Sequence, residues 1–263
     1  MTAFLQLVSR IQTPLVQLLS FVPTYIRFRT ATDRVHELLQ EDVEEEEDPI
    51  VLPDIQAVKI QDVSFKYEDR DVLSDLNMEV KRGESVAILG NSGKGKTTLT
   101  RLLLALLKPD KGNLFLKTNR GEERMQKAHR INIAYVPQGE KIFRGTVREN
   151  LLMAATDADE TRLAAVITLA CAEFVYDLPN GLDTVISDTG VGLSEGQAHR
   201  IALARALMRP SPIWLFDELT AALDRQTADL LMDRLLAEAN DKVLFFVTHD
   251  AKLAARCTYQ VYL

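Results

Sequence analysis

The fold is decided by the stretch Gly90-Asn91-Ser92-Gly93-Lys94-Gly95-Lys96-Thr97-Thr98. It matches the pattern G-x-x-x-x-G-K-[ST], it follows an apolar run, and we expect it to open a helix that extends to about Leu107. Glycines in such a loop let successive backbone N–H groups face a phosphate, and the helix N-terminus adds a partial positive charge. We expect Lys96 to reach the β- and γ-phosphates and the Thr97 hydroxyl to ligate Mg²⁺. The sequence therefore predicts a nucleotide-binding phosphate loop.

A pair of carboxylates, Asp217 and Glu218, ends another apolar run at residues 213–216. In a phosphate-loop protein this position suits a Walker B element. We expect Asp217 to hold Mg²⁺, and Glu218, one residue further, to polarise the attacking water as a general base.

Apolar runs alternate with helical stretches after residue 55, which predicts an α/β fold. Four runs are apolar throughout, as in strands covered on both faces of a mainly parallel core sheet: residues 86–89, 133–136, 213–216 and 243–247. Residues 58–80 alternate more, and Asn119-Arg120-Gly121 is typical of a turn between two strands, so we expect a small antiparallel β subdomain. An inserted helical subdomain is expected at about residues 139–208, with helices at residues 147–155, 159–174 and 195–207.

The composition suits one large α/β domain with extra segments, because the chain has 263 residues and 46% of them are apolar. The net charge of −7 argues against a general nucleic-acid binder. Cys171 and Cys257 lie far apart without CxxC spacing, so neither a disulfide framework nor a zinc site is indicated.

The N-terminal region predicts a helix over residues 3–39, with kinks or breaks at Pro14 and Pro23. Its first part is apolar but is interrupted by Arg10 and by glutamines, and the later arginines suit the cytosolic end of a membrane helix. Residues 41–54 carry an acidic run and two prolines, which is typical of a solvated linker.

A further motif lies in the sequence between the phosphate loop and the carboxylate pair: Leu193-Ser194-Glu195-Gly196-Gln197. It resembles the Leu-Ser-Gly-Gly-Gln signature of ABC ATPases. Ser194 as N-cap and Gln197 at N3 form a capping box, so a helix is expected to start here. In the family this helix end points at the γ-phosphate bound by the other subunit. The resemblance, which covers residues 55–262, implies that two chains or domains sandwich two ATP molecules, with Ser194, Gly196, Gln197 and Asp224 acting in trans.

Further roles follow from this resemblance alone. Tyr67 matches the aromatic residue that stacks on adenine, and Gln138 matches the Q-loop glutamine, which contacts Mg²⁺ and the lytic water and links to a transmembrane partner. His249 matches the switch histidine that bonds the γ-phosphate. Segments 143–150 and 178–184 resemble exporter-type members in particular. The other histidines, His36, His129 and His199, match nothing and are expected on the surface.

The chain departs from the family pattern at a few positions. Glu195 replaces a glycine and puts a carboxylate where a phosphate is expected; we expect its side chain to point away and to leave hydrolysis intact. Leu219 stands in place of a common proline, and Ala198-His199 replaces a more polar pair. From the end at Leu263 we expect a chain that is truncated, or unusually short, at its C-terminus compared with the family.

Residues 2–39 loosely resemble the last membrane helix and connecting helix of fused exporters. The expected organisation is therefore a terminal helix of a largely absent transmembrane domain (1–40), an acidic linker (41–54) and an ABC ATPase domain (55–263).

The leading hypothesis is an ATP-hydrolysing motor of an exporter, with ATP and Mg²⁺ as cofactors, at the cytoplasmic face of a membrane. Its expected partners are a second ABC ATPase domain, in a homo- or heterodimer, and a transmembrane domain, but no nucleic acid. Two alternatives stay open: a nucleotide-gated clamp with negligible hydrolysis, and a soluble ABC ATPase of DNA repair or translation.

Overall fold

The computed structural model describes residues 2–40, 47–68, 70–90, 93–139, 142–186 and 192–263. The chain forms two compact units, Met1–Glu46 and Glu47–Leu263. The first contains one helix, α1 (Thr2–Gln40), which continues through both prolines, so the breaks predicted at Pro14 and Pro23 do not occur. Within the described residues, no helix combines the length and the apolar content needed to cross a membrane.

The second unit is built of alternating strands and helices. The strands are β1 (Ile55–Tyr67), β2 (Arg70–Lys81), β3 (Ser85–Leu89), β4 (Lys111–Thr118), β5 (Gly121–Arg124), β6 (Ile133–Val136), β7 (Gly145–Thr146), β8 (Val185–Ile186), β9 (Ile213–Asp217), β10 (Val243–Val247) and β11 (Tyr259–Tyr262). The helices are α2 (Lys96–Leu103), α3 (Val147–Leu152), α4 (Glu160–Leu169), α5 (Glu195–Met208), α6 (Arg225–Ala237) and α7 (Ala251–Ala254). Short 3₁₀ segments are Lys127–Asn132, Glu173–Asp177, Gly181–Asp183 and Glu238–Asp241.

The core sheet is parallel, with strand order β11-β3-β10-β9-β6, as the sequence predicted. Strands β3 and β10 are buried throughout, and β6 and β9 almost throughout, so both faces of the sheet are covered there, whereas the edge strand β11 is largely exposed. In β10, Phe245 packs on the side of the antiparallel sheet and α2, whereas Phe246 packs on the side of the inserted helices. Because the strands are parallel, their carboxyl ends lie at the same edge of the sheet, where the phosphate loop follows β3.

The smaller sheet is antiparallel, with order β2-β1-β4-β5. Thr118 pairs with Gly121, so Asn119 and Arg120 form the turn that the sequence predicted. Its buried residues, such as Val58 and Leu116, pack with those of the core sheet in one cluster. This sheet places the end of β1 and the start of β2 near the phosphate loop, where Val72 lies close to Gly95.

The segment between β6 and β9 carries the small β7–β8 pair and three helices, α3, α4 and α5, at the predicted places. Helix α5 starts at Glu195 as predicted, with both halves of the capping box: the Ser194 hydroxyl accepts from Gln197 N at 3.2 Å, and Ser194 N donates to Gln197 Oε1 at 2.9 Å. Helix α3 is shorter than predicted by a few residues.

Helix α2 ends at Leu103 rather than at about Leu107. Ala105 adopts the left-handed conformation with φ of 50°, and two hydrogen bonds close the helix end, Ala105 N to Leu102 O (2.9 Å) and Leu106 N to Arg101 O (2.8 Å). This pattern is a Schellman motif. Arg130 from the 3₁₀ segment completes the end, since its guanidinium donates to Leu104 O and to Ala105 O, both at 2.7 Å.

Helix α4 ends by the same device, at Leu169 rather than Phe174. Cys171 has φ of 52°, its N–H bonds Thr168 O at 3.0 Å, and Ala172 N bonds Ile167 O at 2.8 Å. Here Arg200 of α5 donates to Cys171 O at 2.7 Å. The sequence missed both ends because the left-handed residues are not glycines.

Residues 47–54, which the sequence assigns to the linker, lie in the second unit. Asn132 holds them: its amide oxygen accepts from Leu52 N, and its Nδ2 donates to Ile50 O, each at 2.7 Å.

Two histidines also differ from expectation, because His129 is fully buried and His199 is buried in α5. His36 is exposed, as expected.

Candidate ATP site

One cleft of about 510 Å³ gathers most of the predicted nucleotide-binding residues. Its volume falls in the range of about 300–1,000 Å³ that small-molecule sites occupy. It lies where the ends of β1, β6, β9 and β10 meet the phosphate loop, and it is lined by Tyr67, Arg70, Val72, Gly93, Gly95, Lys96, Thr97, Thr98, Gln138, Asp217, Glu218 and His249.

The phosphate loop is shaped by close packing against β2. Gly95 has φ of 98°, and a Cβ there would lie 2.9 Å from Leu73 Cδ2 and 3.1 Å from Val72 O, so only glycine fits. Helix α2 begins at the next residue without a side-chain cap, which leaves its first amides for an anion. The Lys96 ammonium donates to Gly90 O at 2.5 Å. These features fit a bound phosphate chain.

Not every predicted loop residue can be placed in the cleft. Gly90 and Lys94 are described but do not line it. Asn91 and Ser92 lie outside the described residues.

The two carboxylates at the end of β9 have different surroundings. Burial raises the pKa of the Asp217 carboxyl, the charge of Glu218 acts in the same direction, and Lys96 opposes them. Glu218 takes a left-handed backbone conformation (φ 52°), and its N–H donates to Val247 O at 2.8 Å. Its Oε2 lies 2.7 Å from Nδ1 of His249, which follows β10 and is well exposed. The structure thus pairs the predicted general base with the predicted γ-phosphate contact.

Tyr67 stands at the far end of the cleft, and its ring is fixed from two sides. Phe65, two residues earlier on β1, packs against it edge-on at 4.9 Å between ring centroids. Arg101 of α2 donates to the hydroxyl at 3.3 Å. The ring stays 41% exposed, which leaves it open to a base.

The residues expected to act in trans lie elsewhere in the chain. None of Ser194, Gly196, Gln197 and Asp224 lines this cleft in the described structure. Gly196 packs tightly, since a Cβ there would lie 2.6 Å from Ala222 O. Asp224 caps α6, accepting from Thr227 N (3.0 Å) and Thr227 Oγ1 (2.7 Å), and these bonds lower the pKa of its carboxyl.

Glu195 lines a second cavity of about 350 Å³ in its own chain, together with Gln138, Gly139, Ala198, His199, Glu218, Ala221 and Ala222. Burial lowers the pKa of His199, while a backbone hydrogen bond at Leu219 and the charge of Glu195 oppose this shift. The buried Nε2 of His199 has no hydrogen-bond partner in the described structure. Glu195 is thus an exposed residue at the rim of a cavity that also contains His199 and Glu218 of the same chain.

Two lining residues, Arg70 and Val72, were not singled out by the sequence. No motif marks them. Their one signal is position, because they follow Tyr67 at the start of β2.

The ABC transporter profile matches residues 73–221, from β2 to the segment after Glu218. The chain belongs to the ABC transporter family. Members of this family carry ATP-binding domains that are ATPases and generally use Mg²⁺. The α/β phosphate-loop fold predicted from the sequence is confirmed by this match and by the structure.

Several proteins similar to this ABC chain belong to transporters. The uncharacterized ABC transporter ATP-binding protein YfiB of Bacillus subtilis is 34% identical over 237 residues, which are 89% of this chain and 41% of that protein. The ATP-dependent lipid A-core flippase of Chromohalobacter salexigens is 33% identical over 251 residues, covering 94% and 43%. A solved structure of a bacterial Atm1-family ABC exporter with ATP bound has a TM-score of 0.76 and 29% identity, covering 91% and 43%. This ABC chain thus spans less than half the length of these relatives.

Proposed function

We propose that this chain is the ATP-binding and ATP-hydrolysing domain of an ABC exporter. The observation that carries the proposal is the single cleft in which Lys96, Asp217 and the Glu218–His249 pair face Gln138 and the phosphate loop. The Glu218 carboxylate lies 2.7 Å from Nδ1 of His249, so a general base and a γ-phosphate contact face the same cleft.

Residues at different positions along the cleft bind different parts of the nucleotide. Tyr67 stacks on the adenine, and Lys96 with the amides at the start of α2 holds the phosphates. Thr97, Asp217 and Gln138 supply oxygens that suit Mg²⁺. Mg²⁺ held by these residues would neutralise charge that develops on the phosphates.

Hydrolysis then depends on Glu218 and His249. Glu218 accepts the proton of the attacking water, and its partly buried position beside His249 fixes the direction of the carboxylate. His249 hydrogen-bonds the γ-phosphate. Ser194, Gly196, Gln197 and Asp224 of a second ABC domain complete the site from outside, because in this chain they lie away from the cleft.

In the whole protein, we propose that ATP-driven closure of two such domains moves a transmembrane domain, at the cytoplasmic face of a membrane. Relatives named as ATP-binding/permease proteins support this, such as one of Haemophilus influenzae that is 31% identical over 247 residues. We propose that residues 1–40 belong to the end of a transmembrane domain and its connecting helix, residues 41–54 to a linker, and residues 55–263 to the ATPase domain. No nucleic acid is expected as a partner.

Phosphate release from ATP tests the proposal. The purified chain is expected to release phosphate in a Mg²⁺-dependent way, and Glu218→Gln is expected to lower the rate by about 100-fold or more, the range for loss of a general base. Lys96→Ala, which removes phosphate binding, is the second control. No Mg²⁺-dependent release at high protein concentration would contradict the proposal.

Glu195 favours one other function, a clamp that binds ATP but does not turn it over. A carboxylate at the start of α5 suits the helix dipole in the free chain but repels an incoming γ-phosphate. Equal phosphate release by the parent and by Glu218→Gln would support the clamp.

A further inference from the structure

Arg70 sits directly beside the proposed adenine-stacking residue. In the β1–β2 hairpin Tyr67 pairs with Arg70, and both side chains line the ATP cleft. Side chains at directly opposed positions of an antiparallel pair have Cβ atoms about 4.5–5.5 Å apart. The guanidinium therefore starts from a point next to the Tyr67 ring.

Strand β2 leads from this point to the phosphate loop. Val72, two residues further along β2, is the extra residue of a β-bulge, because the register shifts between the Lys66–Asp71 and Phe65–Leu73 pairs. Val72 lines the cleft as well, and its Cγ1 is 3.2 Å from the place of a Cβ on Gly95. At about 3.4 Å of rise per residue, Arg70 is about 7 Å from Val72 along the strand. Arg70 thus stands between the tyrosine ring and the phosphate loop.

The charges of the cleft are also divided along its length. Among its described lining residues, Asp217, Glu218 and His249 lie at the Mg²⁺ end, and Lys96 lies in the loop. Arg70 is the one permanently charged cation at the adenine end of that lining. Its side chain is exposed, and within the described part of the chain no hydrogen bond or ion pair engages it.

We propose that Arg70 binds the α-phosphate of the nucleotide. The α-phosphate is the charged group closest to the base, and it falls where Arg70 stands, between the ring of Tyr67 and the amides of the loop. A guanidinium can donate two parallel hydrogen bonds to one phosphate, which a lysine cannot do. The proposal rests on the proposed function, because it assigns a contact within the same ATP site.

The test compares the Kd of ATP, ADP, AMP and adenosine, each titrated in the presence of Mg²⁺. Arg70→Ala is expected to weaken the binding of ATP, ADP and AMP alike, by about tenfold or more, the effect of losing hydrogen bonds to a charged group. Adenosine, which has no phosphate, is expected to bind unchanged. Arg70→Lys is expected to recover part of the loss, since it keeps the charge but not the fork.

Arg82→Ala is the matched control. Arg82 is an exposed arginine just beyond the other end of β2, away from the cleft lining, so its removal is expected to leave all four Kd values unchanged. Equal thermal midpoints for the parent and Arg70→Ala would show that the variant folds.

The outcomes separate this inference from the function itself. If Arg70→Ala weakened ATP and ADP but not AMP, or weakened adenosine by the same factor, the α-phosphate assignment would be wrong. Unchanged binding of all four ligands would remove Arg70 from the site while leaving the ATP site in place. A parent chain that bound none of them would instead overturn the proposed function.

Discussion

At the scale of single residues, Glu195 is the main departure from the family signature. Glu195 lines the cavity shared with His199 and Glu218 of its own chain, and it does not line the ATP cleft. The expectation that the carboxylate points away from a γ-phosphate arriving at α5 stays a prediction. Glu195 would then affect the electrostatics of its own chain more than those of the trans site.

Glu195→Gly restores the family signature and tests this reading. We expect the rate of Mg²⁺-dependent phosphate release to change by less than about threefold, because Glu195 does not line the ATP cleft. Such a change corresponds to less than about 1 kcal/mol in the free energy of the transition state. Glu195→Gln is the matched control, since it keeps the size of the side chain and removes its charge. A many-fold rise of the rate in both variants would show that the carboxylate does obstruct hydrolysis.

The sequence predicted residues with strict chemical requirements better than residues set by packing. A phosphate loop needs glycines and a lysine at fixed spacing, so Gly95 and Lys96 could be identified from the pattern. Arg70 could not, because its place in the cleft follows from the pairing with Tyr67 across a hairpin. The burial of His199 could not be read either, since the start of α5 had no periodic apolar face to orient it.

At the scale of elements, the strands and helix starts were predictable, and two helix ends were not. Strands covered on both faces leave long apolar runs, and helix starts leave capping boxes such as Ser194 with Gln197. The ends of α2 and α4 depend on left-handed Ala105 and Cys171, and on arginines distant in sequence. Such long-range hydrogen bonds leave no local pattern.

Ala105→Gly tests the end of α2. Glycine adopts the left-handed conformation without the steric cost that a Cβ brings, so we expect the free energy of unfolding to rise by about 0.5–1 kcal/mol. Urea denaturation measures this change. Ala206→Gly, within α5 and also half-buried, is the matched control and is expected to lower the free energy of unfolding by about 0.5–1 kcal/mol. A destabilised Ala105→Gly variant would contradict the proposed cost of the helix end.

At the scale of the whole molecule, the described unit holds two separate half-sites. The cleft contains the groups that we propose bind and hydrolyse ATP, whereas Ser194 and Asp224 are the N-caps of helices α5 and α6 and do not line it. The arrangement of one described domain does not bring both halves to one nucleotide, because Ser194 and Asp224 do not line its cleft. Two chains related by a two-fold axis can, because each then supplies the half that the other lacks.

Mixing two inactive variants tests this central claim most directly. Lys96→Ala destroys the cleft of its own chain, and Ser194→Ala destroys the half-site that its chain offers to a partner. We predict negligible phosphate release from either variant alone, and a clear recovery on mixing, because a mixed dimer contains one site with an intact Lys96 and an intact Ser194 from the other chain. Phosphate release from the mixture that stayed at the sum of the two separate variants would contradict a site shared between two copies of this chain.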